Sequence, residues 1–268
     1  MTTYVHGYSD LEARRLRDQA DTLADLLHDG TAYPAGAMVL EVGCGTGAQT
    51  VSLVARSSAA QLVSVDVSAT SLDLARARVA AEAPSANVRW LQADLFNMPF
   101  ADEMFDHLFV CFVIEHLADP GAALRSLGRL LRPGGTITVI EGDHGSAFFH
   151  PASAAAQATI NCLIDLQAAA GGDGLIGRRL QPLLSATGYD DVRVRPLTVY
   201  ADETRPDLVD GFTRNTFTAM VAGVRDEALT AGLITETAWD DGIADLRRSA
   251  DAGGTFHYTF FKGTANKR

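Results

Sequence analysis

Apolar positions at helical spacing open the chain. Leu16, Ala20, Leu23 and Leu27 recur up to Gly30, and Ser9 with Glu12 has capping-box spacing, which predicts an amphipathic helix ahead of the main fold. Short, nearly continuous apolar runs then alternate with helical segments. "MVLEV" (38–42), "QLVSVD" (61–66), "NVRWLQ" (87–92), "HLFVCFV" (107–113) and "TITVIE" (136–141) read as strands. Helices are predicted from about Thr46, from Ser68 to about Ala83, and from about Pro120 to Leu131. Strands without polar alternation, each followed by a helix, imply a parallel sheet covered on both faces.

Beyond residue 150 the rhythm changes. A long helical stretch ends at "GGDG", "GRRLQPLLSATG" leads into a strand near 191–200, and mostly helical pattern fills 204–252 before "GTFHYTFFKG" alternates as a terminal strand. The expectation is one domain spanning 1–268. Its α/β core covers about 36–145, 173–203 and 254–263, and helical cap elements cover about 1–30, 146–172 and 204–252.

The formal charge of −11, with no clustered basic patch to offset it, argues against nucleic acid or anionic lipid as a partner. Cys44, Cys111 and Cys162 are odd in number, widely spaced and without metal-ligand spacing, as expected of reduced cytosolic thiols. No run reaches the roughly 18 apolar residues of a membrane span, and "MTTYVHGYSD" lacks a signal-peptide core. A soluble, cytoplasmic protein is expected, with a small-molecule substrate, no metal, and a homodimer allowed.

"LEVGCGTG" places Glu41, Gly43, Gly45 and Gly47 at the end of the first core strand, with Thr46 and Gln49 opening the helix. Glycines let the backbone turn tightly and let a ligand approach where a β-carbon would collide. Asp66 ends the second strand, where a carboxylate can accept hydrogen bonds from a ribose diol. A dinucleotide fingerprint spaces its third glycine one residue later, and Glu41 would repel a pyrophosphate. A nicotinamide dehydrogenase is therefore disfavoured. A ligand with an amine, a carboxylate and a ribose but no phosphate is S-adenosylmethionine.

"EVGCGTG", "SVDVS", "LQADLFNMPF", "FDHLFVCFVIEHL" and "LLRPGGTITV" follow one another in an order and spacing that resembles the class I S-adenosylmethionine-dependent methyltransferases over about residues 36–142. The resemblance implies a Rossmann-like α/β fold whose seven-stranded, mostly parallel sheet ends in an antiparallel strand, supplied by "TFHYTFF" and supplemented by helical lid additions. It also implies S-adenosylmethionine as cofactor and S-adenosylhomocysteine as product. Glu41, Gly43, Gly45 and Gly47 would cradle the methionine moiety, with Thr46 and Gln49 also cofactor-binding. Asp66 would bind the ribose hydroxyls, Asp94 with Leu95 would meet the adenine, Phe112 would border the cofactor, and Val67 would also be cofactor-binding. Asp106 and "RPGG" are read as structural, a strand-orienting residue and a turn.

"IEGDHGSAFFHP" (140–151) raises the question of whether this tract is catalytic or a polar turn between a strand and a helix. As the continuation of a fifth strand, it puts Glu141 and His144 at a carboxyl end, beside Glu115 and His116 after the fourth, where open sheets bind ligands. Glu115, Glu141 and His144 are candidates to accept an acceptor's proton or to orient it. His116 either acts directly or positions the loop. Phe148 reads as pocket wall or core, and so do Tyr4, His6, Tyr8, Phe212, Phe217, Met220 and Trp239 of the additions, since residues at helical spacing serve as core as well as pocket wall.

"YVHGYSDLEARRL", "IEGDHGSAFFHP" and "GGTFHYTFFKG" together are similar to bacterial indole C3-methyltransferases of alkaloid pathways. That subgroup implies methylation of a tryptophan-derived indole and ring closure to a pyrroloindoline, with Glu115, His144 and Tyr8 as catalytic candidates. Tyr4, His6, His116, Glu141, Phe148 and Trp239 are then substrate-binding candidates. Oxygen or nitrogen methylation of another small molecule stays open, as does a non-catalytic S-adenosylmethionine-binding regulatory module.

Overall fold

A computed structural model describes residues 22–268. Tyr4, His6, Tyr8 and most of the expected N-terminal helix lie outside the described residues, while 22–28 are helical (α1). Seven strands form one sheet in the order β3-β2-β1-β4-β5-β7-β6. They are β1 (Met38–Val42), β2 (Gln61–Asp66), β3 (Val88–Gln92), β4 (Phe105–Cys111), β5 (Leu131–His150), β6 (Tyr189–Ala201) and β7 (Thr255–Lys267). β1 to β5 pair in parallel, and the last strand runs antiparallel. The sheet order reverses between β1 and β4, which places the ligand crevice of such folds at their carboxyl ends.

Packing divides the chain into two compact units. The first comprises Ala24–Glu141, Arg178–Arg195 and Phe261–Arg268; the second comprises 22–23, Gly142–Gly177 and Pro196–Phe260. In the first, Val39, Leu40, Leu62, Val63, Val65, Phe105, Leu108, Phe109 and Val110 are buried. Both faces of β1, β2 and β4 are thus covered, as their apolar runs require, and each such side chain contributes roughly 1.5–3 kcal/mol by leaving water. Helices α2 (Ala48–Arg56), α3 (Ala69–Glu82), α4 (Pro120–Gly128) and α6 (Leu180–Ala186) complete this unit. Asp106 has the structural role expected of it: its Oδ2 accepts the Met38 amide at 2.8 Å and its Oδ1 accepts from Arg132 at 2.6 Å.

The second unit is built on α5 (Ala154–Ala169), the run α7 (Pro206–Leu208) to α8 (Ala219–Ala222), α9 (Arg225–Thr230) and α10 (Glu236–Arg248). α5 and α10 start on side-chain caps, Ser153 and Thr235, each worth about 1 kcal/mol. Gly242 lets them close up, since a β-carbon there would stand 2.5 Å from the Ala155 carbonyl.

Three boundaries differ from the sequence expectation. β4 ends at Cys111, because Phe112 gives its amide to the Ile140 carbonyl and then turns with φ +57°. "RPGG" is an irregular insertion within β5, where Phe105 faces Leu131 and His107 faces Thr136. β5 also continues through His150, so the helical addition starts at Ala154 and not at 146. Ser146 holds this extension against β7, its Oγ taking the Thr259 amide at 2.9 Å. The tract "IEGDHGSAFFH" is therefore strand, neither a turn nor a loop.

Candidate functional site

The first unit gathers most of the expected cofactor residues at the carboxyl ends of β1, β2 and β4. After Val42 the chain folds back, with the Gly43 and Cys44 amides both donated to the Val65 carbonyl at 2.8 and 2.9 Å. Gly43 has φ +69°, and a β-carbon on it would lie 2.5 Å from a Val113 methyl. Gly45, at φ +51°, is different: nothing stands within 4 Å of its β-carbon position. Its amide donates to Asp66 Oδ2 at 2.8 Å, while Asp66 Oδ1 takes the Ser68 amide at 2.9 Å. Burial holds the Asp66 carboxyl above the usual range against these amides. The result is a backbone cradle with open space over Gly45 and a half-buried carboxylate beside it.

Glu41 is buried below this loop. Its Oε2 accepts the hydroxyls of Thr50 (2.7 Å) and Ser64 (2.6 Å), and Oε1 is buried with no partner among the described residues. Burial raises its pKa to about 7, opposed by the two hydroxyls. Gln49 does not turn to the loop; its Oε1 meets His28 Nε2 at 2.7 Å. His28 is fully buried and stacks on Phe109 at 5.3 Å, and burial lowers its pKa to about 4. Thr46 is half-buried in the loop.

Val67 is 60 % exposed just past β2 and Phe96 is 50 % exposed after β3. Asp94 accepts the Phe96 amide at 2.9 Å, capping the turn Leu95–Asn97, with Leu95 half-buried. Exposed apolar side chains next to a ribose-type carboxylate can flank a flat heterocycle. Sequence reasoning singles out Asp94 and Leu95 of "LQADLFNMPF" and passes over Phe96.

Past β4, Phe112 adopts the left-handed region, which costs a non-glycine residue about 1–2 kcal/mol. Glu115 and His116 follow on the turn Ile114–His116, with His116 Nε2 3.4 Å from Glu115 Oε1. Glu141 is fully buried; its Oε1 accepts the amides of Val113 (3.0 Å) and Ile114 (2.9 Å). Burial, then the nearby Glu115 charge, pushes its pKa well up. The structure thus brings Glu115, His116 and Glu141 together, and Glu141 engages backbone. Cys111 beside them is buried, its thiol pKa pushed up, which removes it as a nucleophile.

His144 belongs to the second unit. It is 4 % exposed, its Nδ1 lies 2.9 Å from the Tyr258 hydroxyl, and its amide donates to Gly174 O at 2.8 Å. Phe217 meets its ring edge-on at 6.3 Å. Phe212 and Tyr258 lie 5.5 Å apart, and Tyr258 and Phe260 4.8 Å. Phe212 and Phe217 come from a π-helical segment, Val209–Thr218, a wide helix that is rare and frequent at functional sites. Trp239 is 2 % exposed and sits on α10 as core, not as a wall. Phe148 is 66 % exposed and tilts against His257 at 5.7 Å. Tyr258 escaped the sequence reading, although the alternation Phe256, Tyr258, Phe260 marks an inward row.

Among the described residues no group of three metal-ligating side chains exists, and no helix is long and apolar enough to cross a membrane. Residues 40–139 match the family model described as a methyltransferase domain. The chain is 31 % identical over 126 residues to methyltransferase GfsG of Streptomyces halstedii, covering 47 % of this chain and 45 % of that protein. It is 29 % identical to the O-methyltransferase resE of Aspergillus sclerotiorum, covering 64 % and 61 %. The chain therefore spans less than two thirds of either relative's length. The solved structure of the cyclase SpnF shares the fold, with a TM-score of 0.58 at 22 % identity over 92 % of this chain and 81 % of that one.

Proposed function

From a methyltransferase domain over residues 40–139 on a class I methyltransferase fold, we infer that the chain is an S-adenosylmethionine-dependent methyltransferase of a small molecule. The observation that carries this reading is the pairing of Gly45 with Asp66. An open backbone position and a half-buried carboxylate, 2.8 Å from the Gly45 amide to Oδ2, stand where the sheet order reverses. That cradle suits a nucleoside carrying an amino-acid arm, and the Asp66 carboxylate beside Gly45 disfavours a pyrophosphate there.

In this reading the loop Gly43–Gly47, with Thr46 at its tip, and Asp66 hold the arm and the ribose. Val67, Asp94, Leu95 and Phe96 flank the adenine, and Phe112 borders the reacting end. Glu41 ties α2 to β2 beside the loop through the Thr50 and Ser64 hydroxyls, and Gln49 holds His28. The cofactor would supply an already activated methyl group, so the chain's tasks are alignment of the acceptor atom and exclusion of water. Glu115, whose Oε1 lies 3.4 Å from His116 Nε2, is the proton acceptor for a substrate that loses a proton.

The favoured acceptor is C3 of a tryptophan-derived indole. Methylation there leaves a cationic ring; a side-chain nitrogen then bonds to C2 and releases one proton, for which Glu115, His144 and Tyr8 are the candidate acceptors. Support for this finer choice is the likeness of three tracts to indole C3-methyltransferases. An oxygen acceptor is the second reading, motivated by the relative named as an O-methyltransferase.

The test is mass spectrometry of the protein incubated with S-adenosylmethionine and a panel of tryptamines, tryptophan cyclic dipeptides, phenols and amines. One methyl added to an indole carbon, with equimolar S-adenosylhomocysteine, is the expected result. Methylation of phenols alone removes the indole choice, and cofactor binding without any methylated product leaves a binding module. Glu115→Gln is expected to keep S-adenosylhomocysteine affinity while slowing turnover about 100-fold; unchanged turnover removes Glu115 from the mechanism.

A further inference from the structure

Glu141 is fully buried at the end of the first unit's share of β5, yet it meets no cation in the bonds its carboxyl makes. Oε1 is spent on two amides, Val113 and Ile114 at 3.0 and 2.9 Å, and Oε2 has no hydrogen-bond partner among the described residues. Those amides open the turn Ile114–His116, whose own capping position is occupied by Val113, a side chain that accepts nothing. A helical turn needs its first amides satisfied, and here the acceptor comes from a neighbouring strand, 27 residues away from Ile114.

The turn so fixed has two working faces. Just before it, Phe112 is held at φ +57°. Val113 sets its methyl groups against the glycine loop, so close that a β-carbon on Gly43 would stand 2.5 Å from one of them. Glu115 and His116 ride on the turn itself, 3.4 Å apart.

We infer that Glu141 is a positioning residue: its Oε1 holds the Phe112–His116 turn so that Val113 backs the cofactor loop and Glu115 is aimed at the acceptor. The role in catalysis rests on the methyltransferase reading above; the role in holding the turn does not. What matters is an acceptor oxygen at the right reach, not a negative charge. Two substitutions separate these. Glu141→Gln keeps the reach and loses the ionisable group, whereas Glu141→Asp keeps the ionisable group and falls short by one methylene.

The experiment measures amide hydrogen exchange at Val113, Ile114 and Glu115 by NMR, and S-adenosylhomocysteine affinity by calorimetry, on the full chain. Glu141→Gln is expected to stay within about threefold of the parent on both. Glu141→Asp is expected to exchange these amides about tenfold faster and to bind about tenfold more weakly, the scale of one lost hydrogen-bonded anchor. The reverse order, with Asp tolerated and Gln not, overturns the proposal in favour of a role for the proton. Equal protection in all three proteins overturns it as well. Should the parent protein not bind S-adenosylhomocysteine, the cofactor reading falls, and the exchange order of the two variants still decides whether Glu141 holds the turn.

Discussion

Around Gly45 the first unit leaves room: no atom stands within 4 Å of the missing β-carbon, Asp66 is only half-buried, and Val67 and Phe96 lie open. Around His144 the second unit leaves none. A β-carbon on Gly174 would stand 2.8 Å from the His144 ring, and Phe212, Phe217, Tyr258 and Phe260 fill the neighbourhood with ring contacts between 4.8 and 6.5 Å. One region is built from backbone and keeps its polar groups within reach of a ligand. The other is built from side chains and sets the His144 imidazole against the Tyr258 hydroxyl. Two histidine- or acid-bearing motifs of similar appearance in the sequence thus have different physical status, and the difference lies in what surrounds them.

This contrast can be broken most sharply at the glycines. Gly43→Ala drives a β-carbon into Val113 at a left-handed backbone angle, and a loss of S-adenosylhomocysteine affinity of at least about 100-fold is expected by calorimetry. Gly45→Ala, strained at φ +51° but meeting no atom, should lose clearly less. Equal losses would mean that backbone angle alone governs the loop.

An effect of similar size, read in stability and not in affinity, is expected at His28. Its folded pKa, about 4, lies below the ordinary 6.5, so the folded protein binds fewer protons there than the unfolded chain between those values. Its stabilising contribution is present above pH 6.5 and lost as pH falls through 4. Relative to the parent, His28→Asn should gain about 3 kcal/mol in urea denaturation between pH 6.5 and 4, at about 1.4 kcal/mol per unit. Glu41 slopes the other way: raised to about 7, its contribution is present below pH 4.5 and lost as pH rises through 7. The pair flattens the parent's profile, and a parallel parent and variant would show that His28 titrates normally.

The mildest change sharpens the closed side of the contrast. Tyr258→Phe removes the hydroxyl 2.9 Å from His144 Nδ1 while keeping the ring, and about 1 kcal/mol of stability should be lost. A much larger loss would indicate that this hydroxyl organises more than one imidazole.

The sheet was legible because its signals are local. β1 and β2 appear at the residues their apolar runs mark, and the glycine loop follows from spacing alone. β5 was not, because what keeps Gly142 to His150 extended is a strand more than a hundred residues later: Ser146 bonds to Thr259 at a sequence separation of 113. The backbone bonds of Glu141 are hidden from the sequence for a related reason. A carboxylate at a strand end looks like a ligand group, and only the positions of the Val113 and Ile114 amides reveal that backbone has claimed it. Gln49 likewise stands at the mouth of the loop in sequence and turns away to His28. The π-helical turn of Phe212 and Phe217 carries no periodic mark that separates it from an ordinary helix.

The chain has two lysines, and one of them, Lys262, is 3 % exposed. Its ammonium donates to the carbonyls of Leu27 and Asp29 and to the Thr31 hydroxyl, closing the end of α1, and burial lowers its pKa to about 8. In chemical terms it is a masked amine. An acylating reagent in solution can reach it only when those three oxygens release it, so the labelling of this one nitrogen keeps time for the opening of the helix end it seals.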